Sequence, residues 1–439
     1  MRRSRYTLAI DDFPDKGKAL LFNTLTRAQV VVDGEMRSLL DHLPSAEAPA
    51  AAADSLARLQ QLGILCADDA DEDSTLEQWF QRVHAGDGAL RPTVLTTYSC
   101  NLACTYCVEE GVKEPVFMDQ AMAAEVARFL LRRRRELGSN RIALIFYGGE
   151  PLLNPDAMTG LASRLQHGCR ADGVPFSFNI ITNGTLLAPD LVTALDALGL
   201  ARVKVTIDGD RAAHDRTRPY RGGRGSFETI LANLERVAGL TGVDVGVNLD
   251  ERNAATVPAL FEELERRGLR ERIKRVSFKP VSPTPADRQG LPGAAEIPCA
   301  WADVGFARRM VELRDLAASR GFSVDEDIGA HLCEAIGNPG SFTIDPTGVI
   351  YRCSGFVGHP AFASGDIGSG QIGGDSFGSL WRRCRACAMA PLCGDGCPFG
   401  SWVIKGDPTA LVCSREAMEI LVLGTIGSNY RRKHRAKPA

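Results

Sequence analysis

Apolar positions along this chain recur in two rhythms. Between residues 91 and 281, short β-rich runs alternate with stretches of helical spacing. The runs "PTVLTT" (92–97), "RIALIFYG" (141–148), "FSFNIIT" (176–182), "RVKVTID" (202–208), "VDVGVNL" (243–249) and "IKRVSFKPV" (273–281) predict strands. They are mostly β-branched or aromatic and lack strict apolar–polar alternation, as parallel strands buried on both faces do. Between them, stretches such as "DQAMAAEVARFLLRRRREL" (119–137) and "SFETILANLERVAGL" (226–240) predict helices. Six strand–helix repeats predict an α/β fold, a partial (β/α)6 barrel, with its site at the C-terminal ends of the strands.

A different pattern precedes it. "RYTLAI" (5–10), "KALLFNTLT" (18–26) and "AQVVVDGE" (28–35) predict three short strands. "GEMRSLLDHL" (34–43) and "ADSLARLQQLGIL" (53–65) predict helices, joined by the soft "PSAEAPAAA" (44–52). The acidic "ADDADEDSTLE" (67–77) reads as a linker. The expected organisation is a small domain over 1–85, the barrel over 86–300, and a cysteine-rich region with its bridge over 301–430.

Composition narrows the function classes. At 439 residues the chain exceeds one simple core. A net charge of −3 gives no footprint for nucleic acid. No run of eighteen apolar residues exists, so no membrane span is expected. The N-terminus starts basic but turns acidic before any apolar stretch of signal-peptide length, which points to the cytoplasm. The basic "RRKHRAK" (431–437) reads as a solvated tail. Thirteen cysteines in a reducing compartment argue for metal or catalysis rather than disulfides.

Ten of those cysteines fall into three groups: Cys100, Cys104 and Cys107; Cys333 and Cys353; and Cys384, Cys387, Cys393 and Cys397 with Cys413 following. Cys66 and Cys169 read as small core residues; Cys299 also stands alone. Clustered thiolates hold zinc or iron–sulfur clusters. Structural zinc closes at four ligands, whereas a three-cysteine loop leaves one position open. A zinc-stabilised loop completed by a distant residue is the structural alternative.

The loop "YSCNLACTYCVEEG" (98–111) resembles the signature of radical S-adenosylmethionine (SAM) enzymes. That resemblance implies a 4Fe–4S cluster held by Cys100, Cys104 and Cys107, whose fourth iron takes the amino and carboxylate groups of SAM. Tyr106 stands where the family places an aromatic residue against the adenine. "YGGEP" (147–151) matches the family motif that holds the SAM amino group, through Gly148, Gly149, Glu150 and Pro151. "TNG" (182–184) and "TIDGDRAAHDRTR" (206–218) resemble later family motifs, placing Asn183, Thr206 and Asp208 around the SAM ribose and carboxylate. No catalytic residue is assigned. His214 and Asp215 read as a local polar structure that shapes their loop.

From Cys333 the spacing resembles the seven-cysteine pattern of SPASM domains, and "FTIDPTGVIYRC" (342–353) and "GDI" (365–367) share that likeness. It implies two auxiliary 4Fe–4S clusters: an inner one on Cys333, Cys353 and Cys397, and an outer one on Cys384, Cys387, Cys393 and Cys413. The inner cluster lacks the extra cysteine of sulfatase-maturating relatives in the window 323–332, leaving an open site or one filled by Cys299, His331 or an acidic residue. The N-terminal pattern resembles the winged-helix element that grips the leader of a ribosomally made peptide as an added strand; a structural cap is the alternative. Together these resemblances imply reductive cleavage of SAM to a 5′-deoxyadenosyl radical and oxidative modification of such a peptide, as a thioether, carbon–carbon or similar crosslink. The implied partners are a leader-bearing precursor peptide and an electron donor such as flavodoxin or ferredoxin. A formylglycine-generating sulfatase-maturating enzyme and a non-catalytic iron–sulfur electron carrier are the rivals.

Overall fold

The computed structural model describes residues 1–44, 49–109, 115–288, 302–325, 337–373, 380–394 and 396–434. It opens with β1 (Arg2–Arg3), β2 (Thr7–Asp11), β3 (Lys18–Asn23) and β4 (Gln29–Asp33), then α1 (Gly34–His42), α2 (Ala53–Gln61) and β5 (Leu65–Cys66). Strands β2, β3 and β4 form an antiparallel sheet, while β5 returns to pair with β1. Strand parity sends Ala19 and Leu21 of β3 towards α1 and α2. It sends Leu20 and Phe22 the other way, against Met389, Leu392, Met418, Val422 and Ile426 of the C-terminal region. This small sheet is therefore buried on both faces.

The acidic segment expected as a linker begins a helix instead, α3 (Glu72–Ala85). The Asp71 carboxylate caps it, accepting from the N–H groups of Asp73 and Ser74. Glu72 is buried, accepts from Ser4 Oγ at 2.6 Å and pairs with Arg2 at 2.5 Å and Arg5 at 3.3 Å. Acidic residues in a first turn suit the positive end of the helix dipole.

Strands β6 (Ala89–Leu95), β7 (Arg141–Tyr147), β8 (Phe176–Thr182), β9 (Leu200–Thr206), β10 (Gly242–Leu249) and β11 (Ile273–Pro280) are parallel neighbours in chain order. Their connections carry α4 (Gln120–Glu136), α5 (Pro155–Ala171), α6 (Pro189–Asp196), α7 (Arg211–Thr217) with α8 (Phe227–Val237), and α9 (Val257–Arg266). This is the expected mixed α/β fold with a parallel sheet. After α10 (Pro285–Arg288) and α11 (Val304–Ser319), the chain returns to the first barrel strand. There β12 (Ser341–Ile344) pairs parallel to β6, and β13 (Val349–Tyr351) and β14 (Ala363–Asp366) follow antiparallel. Helices α12 (Ala390–Cys393), α13 (Pro398–Lys405) and α14 (Arg415–His434) end the fold.

The barrel strands alternate in burial more than their sequence does. In β7, Ile142, Leu144 and Phe146 are fully buried in the helix-facing core, while Ala143, Ile145 and Tyr147 on the other face are half-buried. The same parity puts Val203, Val205, Val245 and Val247 against the helices, and Lys204, Thr206, Gly246 and Asn248 on the inner face. That inner face lines the lumen. The core runs on past residue 300, taking in Phe306 and Leu313 of α11 and Phe342 and Ile344 of β12. Cys169 lies buried in that core, whereas Cys66 is half-buried on β5. Among the described residues no helix is long and apolar enough to cross a membrane.

Candidate functional site

The C-terminal ends of the parallel strands converge on the first cysteine loop. Cys100, Cys104 and Cys107 follow β6 and are half-buried. Cys100 Sγ accepts from the Leu102 N–H at 3.4 Å and from Asn183 Nδ2 at 3.9 Å. The glycine pair after β7 presses on this loop. Gly148 adopts φ +130°, and a Cβ there would stand 2.6 Å from the Thr97 carbonyl. At Gly149 a Cβ would stand 2.2 Å from the Ser99 carbonyl and 2.4 Å from that of Tyr98. The N–H groups of Gly149 and Glu150 donate to Thr97 and Ser99 at 3.2 and 2.8 Å. The glycines thus seat the cysteine loop itself, a close backbone approach that no larger residue permits.

Glu150 is fully buried. Its Oε1 accepts from Leu152 N–H at 3.0 Å and Thr182 Oγ1 at 2.7 Å; Oε2 accepts from Asn183 N–H at 2.7 Å. Burial pushes its carboxyl above the ordinary range, against the downward pull of those bonds. One lone pair of Oε2 remains for a further donor. Pro151 starts a short 3-10 turn directly behind. The Asn183 carboxamide donates to Asn101 Oδ1 at 2.8 Å and accepts from Thr185 N–H at 2.9 Å.

Across the mouth, Tyr106 and Asp208 meet. The Tyr106 hydroxyl donates to Asp208 Oδ2, and it accepts from Arg218 Nη1 at 2.6 Å and Asn248 Nδ2 at 3.1 Å. Asp208 is fully buried, receives the Asn248 N–H at 2.7 Å and lies 3.8 Å from Arg218. Burial raises its carboxyl, and Arg218 is the main opposing influence. Thr206 ends β9 two residues before Asp208 and is half-buried. Arg218 and Asn248 carry no sequence assignment above. Arg218 closes the already quoted "HDRTR" run, and Asn248 is a polar residue at the end of an apolar strand; those were the available signals.

His214 is a pin, as its run suggested. Its Nδ1 accepts from the Asp208 N–H at 3.1 Å, so Nε2 carries the proton and donates to Ser226 Oγ at 3.0 Å. Burial holds the ring far below its usual pKa, hence neutral. Asp215 accepts from the Phe227 N–H at 2.8 Å and secures the start of α8.

The C-terminal cysteines surround a different environment. Cys353 follows β13 and accepts from the Gly355 N–H at 3.3 Å. Cys397 caps α13, accepting from Gly400 N–H at 3.4 Å, and is exposed, as is Cys413. Cys384, Cys387 and Cys393 are half-buried. They pack beside Trp381, Tyr6, Phe80, Leu8, Phe13 and Met389. Cys299, His331 and Cys333 lie outside the described residues. Among the described residues no three His, Cys, Asp or Glu side chains close on one point, as a single metal ion requires; a cubane takes each thiolate at a separate iron. Three thiols on one loop, seated by a glycine cradle beside a fixed carboxylate, fit a 4Fe–4S cluster with a zwitterionic ligand.

Residues 94–264 match the radical SAM superfamily. The chain is 27% identical over 339 residues to the mycofactocin maturase MftC of Mycobacterium tuberculosis (strain CDC 1551 / Oshkosh), covering 69% of this chain and 76% of the relative. It is 25% identical over 321 residues to the serine-type anaerobic sulfatase-maturating enzyme of Klebsiella aerogenes, covering 68% and 77%. Among solved structures, native anSMEcpe with bound AdoMet superposes with a TM-score of 0.59 at 14% identity, over 79% of this chain and 100% of that one. SuiB of Streptococcus suis bound to S-adenosylmethionine superposes at 0.52 and 14% identity, over 94% and 99%. At such identities the structures speak for the fold alone. The named relatives are enzymes, and so is this chain, which sets aside the electron-carrier alternative.

Proposed function

We propose that this chain, which carries a radical SAM domain over residues 94–264, modifies a ribosomally made precursor peptide by forming a crosslink such as a thioether or carbon–carbon bond. The observation that carries the proposal is the three-cysteine loop seated by Gly148 and Gly149 beside the buried Glu150 at the strand ends. Cys100, Cys104 and Cys107 would hold the 4Fe–4S cluster, with Tyr106, Gly148, Gly149, Glu150, Pro151, Asn183, Thr206 and Asp208 around SAM. When bound, cluster and SAM supply the reductive cleavage that yields a hydrogen-abstracting radical.

The chain's own residues orient and exclude. Glu150 offers a fixed anionic acceptor to an ammonium group. The Tyr106–Asp208–Arg218 group, with Asp208 and Arg218 buried, sets mutually bonded dipoles across the mouth, where fixed dipoles act strongly. The sheet edges of β2 and β4 are unpaired among the described residues and offer strand addition to a leader. Cys333, Cys353 and Cys397, and Cys384, Cys387, Cys393 and Cys413, would carry the two auxiliary clusters. Flavodoxin or ferredoxin would donate the electron. The relatives keep a second reading in play: MftC and the sulfatase-maturating enzyme align over nearly equal shares, so formylglycine formation is the alternative product.

The test is anaerobic reconstitution, dithionite reduction and measurement of 5′-deoxyadenosine from SAM. The wild type should form it, and the triple alanine variant at Cys100, Cys104 and Cys107 should form none while retaining iron. Product formed by the triple variant would refute the assignment. Incubation with any short peptide found encoded beside this chain, read by tandem mass spectrometry after hydrazine trapping, separates the two. A crosslink and a serine-derived formylglycine both lose two hydrogens, but only the aldehyde of formylglycine forms a hydrazone.

A further inference from the structure

The inner face of β9, β10 and β11 is layered by charge. In the lowest layer Asp244 pairs with Arg202 at 2.8 Å and Arg275 at 3.0 Å, and Arg275 also pairs with Asp325 at 2.8 Å. Both acids of this layer are thus paired with arginines. The highest layer is the Tyr106–Asp208–Arg218 group, which Asn248 joins through its side chain. Two lysines stand between and beside these layers. Strand parity puts Lys204 on the lumen face of β9, two residues below Thr206. It puts Lys279 on the lumen face of β11, in register with Asn248.

Gly246, in register with both Thr206 and Ser277, leaves the space between them. Lys204 crosses over it: a Cβ at Gly246 would stand 2.6 Å from Lys204 Cε and 3.5 Å from its Nζ. The ammonium therefore rises to the Gly246 layer, one step below Lys279. Neither lysine has an acidic partner within ion-pairing distance among the described residues, because Asp244 and Asp325 are taken by arginines. Below the Tyr106–Asp208–Arg218 group, the described residues of these three strands and Asp325 thus bring four cations (Arg202, Lys204, Arg275, Lys279) against two acids (Asp244, Asp325). Burial lowers the pKa of Lys204, and the positive charges of Lys279 and Arg275 lower it further. An anion placed between the two ammonium groups relieves that repulsion and supplies their missing acceptor.

We infer that Lys204 and Lys279 form a carboxylate site for the substrate, so that the peptide segment entering the barrel bears either an acidic side chain or its own C-terminal carboxylate. Lys279 stands level with Asn248 and Lys204 reaches the layer beneath it, so the pair borders the proposed SAM pocket from the lumen side. This rests on the peptide-modifying reading above and names a chemical requirement of that substrate. The lysines act as positioning groups: they hold no reacting atom, but fix how far the segment descends.

Binding to the reconstituted, SAM-saturated enzyme tests this with defined peptides. The probes are acetyl-Gly-Gly-Glu-Gly-Gly-amide, its Gln counterpart, and acetyl-pentaglycine as free acid and as amide, titrated by anaerobic calorimetry. One of the two carboxylates should bind at least about tenfold tighter than its neutral partner, as a charge-assisted pair gives. The arm that shows the preference identifies the source. Lys204→Gln and Lys279→Gln should each abolish the preference while the neutral peptides bind as before. Lys279→Glu should turn it towards acetyl-Gly-Gly-Lys-Gly-Gly-amide. Lys279 is exposed at a strand end, so its variants test the site even if Lys204→Gln does not fold. Equal binding of acidic and neutral probes overturns the inference. So does a preference that survives both lysine variants. A weakened affinity for SAM itself in Lys279→Gln, with no effect on the peptides, would assign the pair to the SAM carboxylate and overturn it likewise. Absence of 5′-deoxyadenosine from the reduced enzyme would undo the radical reading instead, and leaves the binding comparison independent.

Discussion

Around Cys100 the neighbours are polar: Asn183, Asn101, Glu150, and across the mouth Tyr106, Asp208 and Arg218. Around Cys384, Cys387 and Cys393 they are apolar and aromatic, with Phe80 stacked on Trp381 at 4.5 Å and Met389, Leu392 and Phe13 behind. A site that must take up and release a charged cofactor needs dipoles already in place. The auxiliary cluster proposed for Cys384, Cys387 and Cys393 would be permanently ligated and would call for dry surroundings, since solvent and hydrogen bonds to sulfur set a cluster's potential. The apolar shell is assembled from both ends of the chain. Tyr6 donates to the Arg385 carbonyl at 3.1 Å, and Thr24 to that of Ala388 at 2.7 Å.

That shared shell yields the largest expected effect. Removal of residues 1–85 strips one wall from Met389, Leu392, Met418, Val422 and Ile426. The truncated protein should aggregate or lose iron from its C-terminal cysteines, as size-exclusion chromatography with iron analysis will read. A milder version is Phe80→Ala, with a cost of about 3–5 kcal/mol for truncating a buried aromatic. A monomeric truncation with undiminished iron would show that the apolar region is self-sufficient, and the contrast drawn above would fail. Leader recognition is consequently better probed by charge substitutions along β4 than by deletion.

Gly149→Val attacks the polar region with the next largest effect. The new Cβ meets the carbonyls of Ser99 and Tyr98, both backbone, so neither can swing aside. We expect a loss of about 3 kcal/mol, at the upper end for overpacking. Formation of 5′-deoxyadenosine should vanish while iron in the C-terminal set persists. Normal SAM cleavage by this variant would show that the loop does not depend on its glycine seat.

Glu150→Gln is gentler. Its carboxylate serves three donors, and a carboxamide must turn its NH2 towards at least one backbone N–H. The expected cost is about 1–3 kcal/mol. The pH dependence has a definite sign. Burial raises the Glu150 carboxyl pKa in the fold, so its contribution is full below the ordinary glutamate value and is lost as pH rises through the raised value. Denaturant midpoints of the metal-free protein should therefore fall with pH more steeply in the wild type than in the variant. Parallel profiles would mean that Glu150 titrates elsewhere.

The barrel was legible because buried strands and their helices impose a period that local sequence carries. All six strands lie within a few residues of their expected ends. Three features were not. The "RIALIFY" run is apolar on both faces, so nothing in it shows that Ala143 and Ile145 line a lumen. The acidic run at 67–77 reads as solvated, because the partners of Glu72 are Arg2 and Arg5, about seventy residues away. The two-residue ribbon of β1 and β5 is too short for any period. In the site, residue types at motif positions were readable, whereas the convergence of Arg218 and Asn248 on Tyr106 depends on three separate strand ends.

The smallest expected effect concerns the join between the two regions. Tyr98, two residues before Cys100, donates its hydroxyl to Asp345 Oδ2 at 2.5 Å in the turn between β12 and β13. The same turn leads through β13 to Cys353, and β12 lies parallel to β6. The other oxygen of Asp345 is occupied by Thr347 N–H and Oγ1 and by Val349 N–H, at 2.7 to 3.0 Å. Tyr98→Phe thus removes a single charge-assisted bond and leaves the turn intact, at a cost of about 1–2 kcal/mol. If the bond holds the cysteine loop to the C-terminal region, Asp345→Asn should cost as little at Tyr98 but more within the turn, and the double variant should fall short of the sum. Additive losses in denaturant melts would show that the β6–β12 pairing alone carries the join, and that the polar and apolar regions are coupled through backbone rather than through this side chain.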